Sequence, residues 1–405
     1  MKILQLVPRL PFPPSDGGKI GILGIVHGYV RAGHEVRLLG FDADDSRAEF
    51  ARELGPLLSG YYVERMPGWK TALAASASIV SRRPYLREKY WSRSMARQVL
   101  DSFDRWQPDF VHVDHSHMGA YGLALKRQRP DARVYLRAHN VEYVIWERLQ
   151  ATATNPINGA FYRDQAMMVR AYERRLFSSL DGVVPLTAVD AERVSSAAPS
   201  ARVYTMPAGC ELQESVQLRD RITDDPRLCF VGLLDWIANR DGIVWFIEHV
   251  WPLVRSRWPR ARLDVIGRAT APIRQLSQTE GVVYHGFVER LETVLSTADC
   301  AVVPLRIGGG MRLKILDFLS RGVPVISSSV GAEGIPATWG GKEVFKTADS
   351  PADFVRELAE LCGSGDLRRD LSERGRGFVA AEYDWAVLID RFCRWVAVQS
   401  PARQR

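Results

Sequence analysis

No stretch of about 18 uncharged apolar residues occurs in this sequence, which excludes a membrane-spanning helix of ordinary length. Cysteine is scarce, with five residues at 210, 229, 300, 362 and 393. No pair is spaced C-x-x-C, and an odd count is a poor disulfide framework, so the expectation is a reducing cytoplasm without a zinc-cysteine site. The opening MKILQLVPRL has only a short apolar run before Pro8 and Arg9, and reads as a first strand and not as a secretory signal. Two nucleotide signatures are missing as well. Gly18 and Lys19 suggest a P-loop, but Ile20 stands where Ser or Thr must ligate magnesium and Pro13 where the upstream glycine is required. Gly17, Gly18, Gly21 and Gly24 do not give G-x-G-x-x-G.

The chemistry that is present concentrates in residues 302–335, VVPLRIGGGMRLKILDFLSRGVPVISSSVGAEGI. A buried-type strand runs into Gly308, Gly309 and Gly310, then into a helix starting near Met311, then into a second strand ending in small residues. Glycine lets backbone N–H groups come close to a ligand, and the helix adds the positive end of its dipole. Arg312 and Lys314 put two cations beside the loop, a planar fork and a compact point charge, both suited to phosphate. Asp317, one turn further on, is a carboxylate able to accept hydrogen bonds from a vicinal diol such as ribose. The alternative is a tight strand-to-helix turn with solvated cations. Both flanking segments end at the carboxyl edge of a sheet, where ligands of parallel α/β sheets bind.

Strands and helices alternate along the chain: residues 2–8 as strand, 18–32 as helix, then strands at 34–41, 109–114 and 132–139. That alternation predicts a parallel sheet covered by helices. Residues 204–227 are polar and unpatterned. A second series restarts with LCFVGLL, a helix at 242–258, ARLDVIG, VVYHGFV, CAVVPL and VPVISSS. Two domains are expected at 1–205 and 228–380, with a linker at 206–227. A C-terminal helix at 381–405 completes the chain. A length of 405 residues suits two α/β domains.

With these residues in view, the chain resembles the family-4 glycosyltransferases, retaining enzymes of the two-domain GT-B fold. Their usual pattern is E-G-F-G-x-x-x-x-E, and here Gly309 stands at the first glutamate and Asp317 at the second. The glycine-rich subgroup pattern G-G-x-R-x-K-x-L-[DE] matches at every named position from Gly309 to Asp317, Met311 included as a loop residue. The resemblance implies a GT-B architecture with two doubly wound Rossmann-like domains facing across a cleft, and a C-terminal helix crossing back to the first domain. It also implies donor contacts from Gly309, Gly310, Met311 and Asp317, with Asp317 on the ribose. FVGLLDWIANRDG corresponds to the family's G-R-x-x-x-x-K-G strand, with Leu233 at the arginine position and Asn239 or Arg240 as substitutes. Gly267 and Arg268, with the backbone of Gly286, Phe287 and Val288, match stretches that hold the base. His139, at the end of RVYLRAHNVEY, matches a histidine near the anomeric region, which makes Asn140 and Glu142 acceptor-side candidates.

Gly17 and Gly18 open a helix after the first strand and offer further N–H groups to a diphosphate, or merely form a turn. Asp114, His115 and His117 form a cluster with metal-like spacing, but the sequence shows no further ligand and no metal is expected. The net charge is +7. Part of it lies at 82–97, where Arg82, Arg83, Arg87, Lys89, Arg93 and Arg97 alternate with Tyr85, Leu86, Tyr90 and Trp91. That mixture suits an anionic lipid surface at the inner face of a membrane, or a solvated face; no nucleic-acid module is visible.

The resulting expectation is a cytoplasmic, peripheral retaining transferase that moves a hexose from a GDP-mannose or UDP-hexose type donor to a saccharide or lipid-linked acceptor, in surface polysaccharide or glycolipid synthesis. Arg312 and Lys314, with His139, carry catalysis without a cofactor or metal, by stabilising the departing diphosphate. A GT-B epimerase would need paired carboxylates for proton transfer, and a non-catalytic sugar-binding member is the other alternative.

Overall fold

The computed structural model describes residues 1–14, 17–151, 153, 155–216, 225–270, 273–307 and 311–399. Gly309 and Gly310, expected at the donor, lie outside the described residues.

The chain forms two compact units: Met1–Ala208 with Leu388–Arg405, and Gly209–Val387. The first holds a six-stranded sheet of β1 (Lys2–Val7), β2 (Glu35–Asp42), β3 (Gly60–Arg65), β4 (Phe110–Asp114), β5 (Val134–Ala138) and β6 (Gly182–Pro185), in the order β3-β2-β1-β4-β5-β6. Every pairing in it is parallel. β4 and β5 are buried along their whole length, as parallel strands covered on both faces must be. Strand order reverses between β1 and β4, so the carboxyl ends near that point form the natural ligand edge. The last helix, Trp385–Val398, brings Phe392 and Trp395 into this unit, their rings 6.0 and 5.5 Å from that of Tyr135.

The second unit repeats the plan with β7 (Arg227–Val231), β8 (Arg262–Ile266), β9 (Val282–Gly286), β10 (Cys300–Val303) and β11 (Val325–Ser327). A small hairpin of β12 (Thr338–Trp339) and β13 (Lys342–Glu343) precedes β14 (Lys346–Thr347). The main sheet runs β14-β11-β10-β7-β8-β9, again parallel, and reverses between β7 and β10. Its core joins Leu228, Phe230, Val265 and Val302 on the strands to Phe246, Trp251 and Phe354 on the helices. The expected single helix at 242–258 is instead Ile237–Trp245, a π-helical turn Phe246–Val250 and Trp251–Arg257. Pro252 is the physical reason, since it offers no N–H to the carbonyl one turn back and the ladder must adjust around it.

Candidate functional site

In the second unit the switch-point strands deliver the two expected cations to one place. β7 leads into Gly232, where a Cβ would lie 2.7 Å from Asn239 Nδ2 and 2.8 Å from Lys314 Nζ. Its carbonyl oxygen would in turn lie 1.8 Å from a Cβ on Gly267, whose φ of +147° already favours glycine. Those two bare backbones let Asn239 and Lys314 close over the strand ends. Lys314 Nζ donates to Asn239 Oδ1 at 2.7 Å, and Asn239 Nδ2 donates to the Leu233 carbonyl at 2.9 Å, which fixes the amide orientation. The Lys314 amine also sits 4.7 Å from the Phe230 ring centre.

Arg312 is buried just before the helix Leu313–Ser320, its guanidinium 5.1 Å from the Trp236 ring centre. Burial, and then the Arg312 charge, push the Lys314 amine down to about 7. Burial also lowers Arg312, against the opposing pull of Glu333. Two cations held out of water beside each other are costly on their own, and an anion between them relieves that cost.

Asp317 lies on the same helix, 3.2 Å from the Arg321 guanidinium, which also binds Glu292. Burial raises the Asp317 carboxyl and Arg321 opposes it. The ion pair is thus present, while a third of the Asp317 side chain stays exposed. Gly267 accepts the Tyr284 hydroxyl at 2.9 Å, and Arg268 lies 5.7 Å from the ring centre of the exposed Phe287. A Cβ on Gly334 would stand 3.8 Å from Met311 Cα, and exposed Leu233 supplies no charge at the family's arginine position.

In the first unit a buried polar network surrounds the ends of β4 and β5. Asp114, with no exposed surface, accepts from Gln5 Nε2 at 2.6 Å and lies 3.1 Å from His139 Nε2. Arg137 Nη1 lies 2.7 Å from that same His139 nitrogen. Burial, then Arg137, lower His139 to about 4, and the ring is neutral at neutral pH. Burial works against the charge on Asp114, and its imidazole neighbours His112 and His139 outweigh it, holding the carboxyl well below the carboxylate range. The Arg137 guanidinium lies 3.8 Å from the same carboxylate. Gly21, on the helix Gly17–Arg31, leaves room for the His139 ring: a Cβ there would stand 3.5 Å from His139 Cε1. Gly17 and Gly18 are the first residues of that helix.

His115 and His117 open the helix His115–Gln128, and Glu142 and Asn140 follow β5. The His115 ring stacks on His139 with centroids 3.6 Å apart. Glu142 is buried, bonds to Asn140, and is pushed up to about 8 by burial and then by Glu173. His115, His117 and Glu142 each bring one ligand-type atom within 4.8 Å of the others, a grouping the sequence did not reveal. Only the adjacency of β4 and β5, with Asp114 paired to Arg137, brings these segments together.

The basic segment 82–97 is not one exposed helix face. It is split between the helices Tyr85–Tyr90 and Arg93–Trp106, and Arg87 is half-buried, paired with Glu88 and set 5.0 Å from the Trp91 ring centre.

Residues 16–209 match a glycosyl transferase 4-like domain, and residues 225–364 match glycosyl transferases group 1. An uncharacterised 44.6 kDa protein in the cps region of Klebsiella pneumoniae is 21% identical over 396 residues, spanning 95% of this chain and 96% of that protein. Among solved structures, sucrose-phosphate synthase from Thermosynechococcus elongatus superposes with a TM-score of 0.66 at 15% identity, covering 99% of this chain and all of that one. HepE from Anabaena, in complex with UDP and glucose, gives 0.63 at 10% identity, covering 98% of this chain and 100% of its own. A TarM variant from S. aureus, in a complex that includes alpha-GlcNAc-glycerol and UDP, gives 0.63 at 8% identity over 98% and 99% of the two chains. Two parallel α/β units and these likenesses make the fold GT-B.

Proposed function

The chain belongs to the glycosyltransferases, a glycosyl transferase domain matching each of its halves, and on that premise we propose that it moves a hexose from a nucleoside-diphosphate sugar to a saccharide or lipid-linked acceptor with retention at the anomeric carbon. The observation that carries this reading is the pairing of buried Arg312, over the Trp236 ring, with Lys314, bonded to Asn239 at the strand-order reversal of the second unit. Expelling a diphosphate is the difficult step of such a transfer, and fixed donors aimed at the leaving oxygens stabilise the charge as it develops. Asp317, Gly267 and Arg268 serve the nucleoside in this reading, with Gly309, Gly310 and Met311 along the phosphates. His139, neutral at neutral pH, orients a sugar hydroxyl, and Asn140 and Glu142 serve the acceptor. Binding of UDP by HepE and TarM supports a UDP-sugar as donor, and a relative from a cps region supports a place in surface polysaccharide assembly.

Purified protein incubated with labelled GDP-mannose and UDP-hexoses decides between transfer, isomerisation and binding alone. Transfer with a retained anomeric configuration is expected; isomerisation or binding without turnover overturns the reading. No metal is needed for diphosphate departure here, so EDTA leaves transfer intact. Activity that disappears with EDTA and returns with Mg²⁺ or Mn²⁺ refutes that part.

A peripheral membrane location draws support from the helix Gly68–Ser81. Trp69, Leu73 and Val80 are exposed by 65%, 57% and 84%. They fall on one helical face, and exposed Arg82 and Arg83 follow. Sedimentation with anionic vesicles is expected to show binding that Trp69→Ser weakens and salt reduces, since charges are screened over about 8 Å at physiological ionic strength. Equal recovery with neutral and anionic vesicles contradicts it.

A further inference from the structure

We propose that His115, His117 and Glu142 form a site for a divalent transition cation of the zinc class. The three offer ligand atoms within 4.8 Å of one another. Ligand atoms around a tetrahedral ion with bonds of about 2.0–2.2 Å stand roughly 3.4 Å apart, so side-chain rotations that draw the three atoms inward by about an ångström close the set. His115 Nε2 and His117 Nδ1 are shielded from solvent and have no hydrogen-bond partner among the described residues. Buried polar nitrogens left in that state cost free energy, and a cation supplies what they lack.

The frame around the site is built and not fortuitous. His115 takes a left-handed backbone conformation, φ +62°, that a non-glycine residue rarely adopts. It does so at the junction of β4 with its helix, turning the imidazole towards His139 and His117. Beneath the ligands the fully buried Glu173 accepts from Ser116 Oγ at 2.7 Å and from the N–H groups of Glu142 and Tyr143 at 3.1 Å. One carboxylate therefore ties the segment carrying both histidines to the segment carrying Glu142. Such outer bonds are what hold ligands in place around a metal.

Two imidazoles and a carboxylate are a nitrogen and oxygen set suited to zinc, with a fourth position left for water. Glu142 is the one carboxylate of the set and supplies its negative charge. The site rests on the first unit alone and stands whether or not sugar transfer is found. Departure of the diphosphate does not run through it.

Calorimetric titration of Zn²⁺ into the full-length, chelator-treated protein tests the assignment. One equivalent is expected to bind. Both His117→Ala and Glu142→Gln should weaken it by more than the ~10–100-fold typical of outer partners, while His249→Ala, on the exposed surface of the second unit, leaves it unchanged. Glu142→Gln keeps the side-chain shape, so it still decides the matter if His117→Ala fails to fold. No saturable binding, wild-type affinity in Glu142→Gln, or loss of the equivalent in His249→Ala overturns the proposal.

Discussion

The amine of Lys314 donates to Asn239 Oδ1 at 2.7 Å, joining the helix after β10 to the one after β7 across the strand-order reversal. Burial and the neighbouring Arg312 leave that amine giving up its proton at about 7, where an exposed lysine would hold it to about 10.4. The bond therefore joins an uncharged anchor to a group whose charge depends on what lies beside it.

A diphosphate placed there should restore the charge. Above about pH 7 the free protein holds Lys314 mostly neutral and the complex holds it protonated, so UDP binding takes up close to one proton near pH 8 and almost none near pH 5.5. Calorimetry in buffers of different ionisation enthalpy reads that number directly. Uptake of zero at pH 8 would place Lys314 away from the phosphates.

Stability without ligand follows from the same group. The folded value is depressed, so the cost of charging Lys314 is fully felt below about pH 7 and fades as the pH climbs towards the unfolded value. Lys314→Met is expected to melt higher than the parent at pH 6, its unfolding free energy greater by on the order of a few kcal/mol at most, and to lose the rise in stability between those two pH values. Melting curves across that range would show it, and a lower melting point at pH 6 would contradict it.

Arg312→Ala should reduce kcat by about 10² or more, the scale for losing a preorganised group that stabilises developing charge. Steady-state rates with the identified donor give the answer. A change within about twofold would remove Arg312 from the departing diphosphate.

Asp317→Asn separates two partners of one carboxylate. If Asp317 accepts the ribose hydroxyls, UDP binding weakens by roughly 1.5–3 kcal/mol while kcat changes little, because contacts remote from the reacting carbon are nearly uniform between ground and transition states. Should the dissociation constant stay unaltered in a folded variant, the ion pair with Arg321 is the whole role of this residue.

Continuous apolar runs made most strands legible, CAVVPL and ARLDVIG among them, because a strand buried on both faces cannot hide its composition. β3 and β6 were not legible. GYYVER is only partly buried at the sheet edge, and GVVP is four residues long. At the site, Arg312 and Lys314 were readable because motif and helix start coincide within three residues. Gly232 was not: its need for a bare Cα arises from Asn239 and Lys314, which reach it from later in the chain. Glu142 escaped pairing with His115 and His117 for a similar reason, since a parallel crossover separates them in sequence and sheet register alone unites them.

The close approach of Gly267 to the Gly232 carbonyl gives related chains a fingerprint. A homologue with a side chain at the Gly267 position must hold the ends of β7 and β8 further apart, and one with a side chain at the Gly232 position must move its asparagine and lysine equivalents from where they meet here. Such a chain is expected to neutralise its leaving group by some other arrangement. Screening genomes for the two glycines together with the lysine thus sorts look-alike sequences by how they handle charge, before any substrate is known.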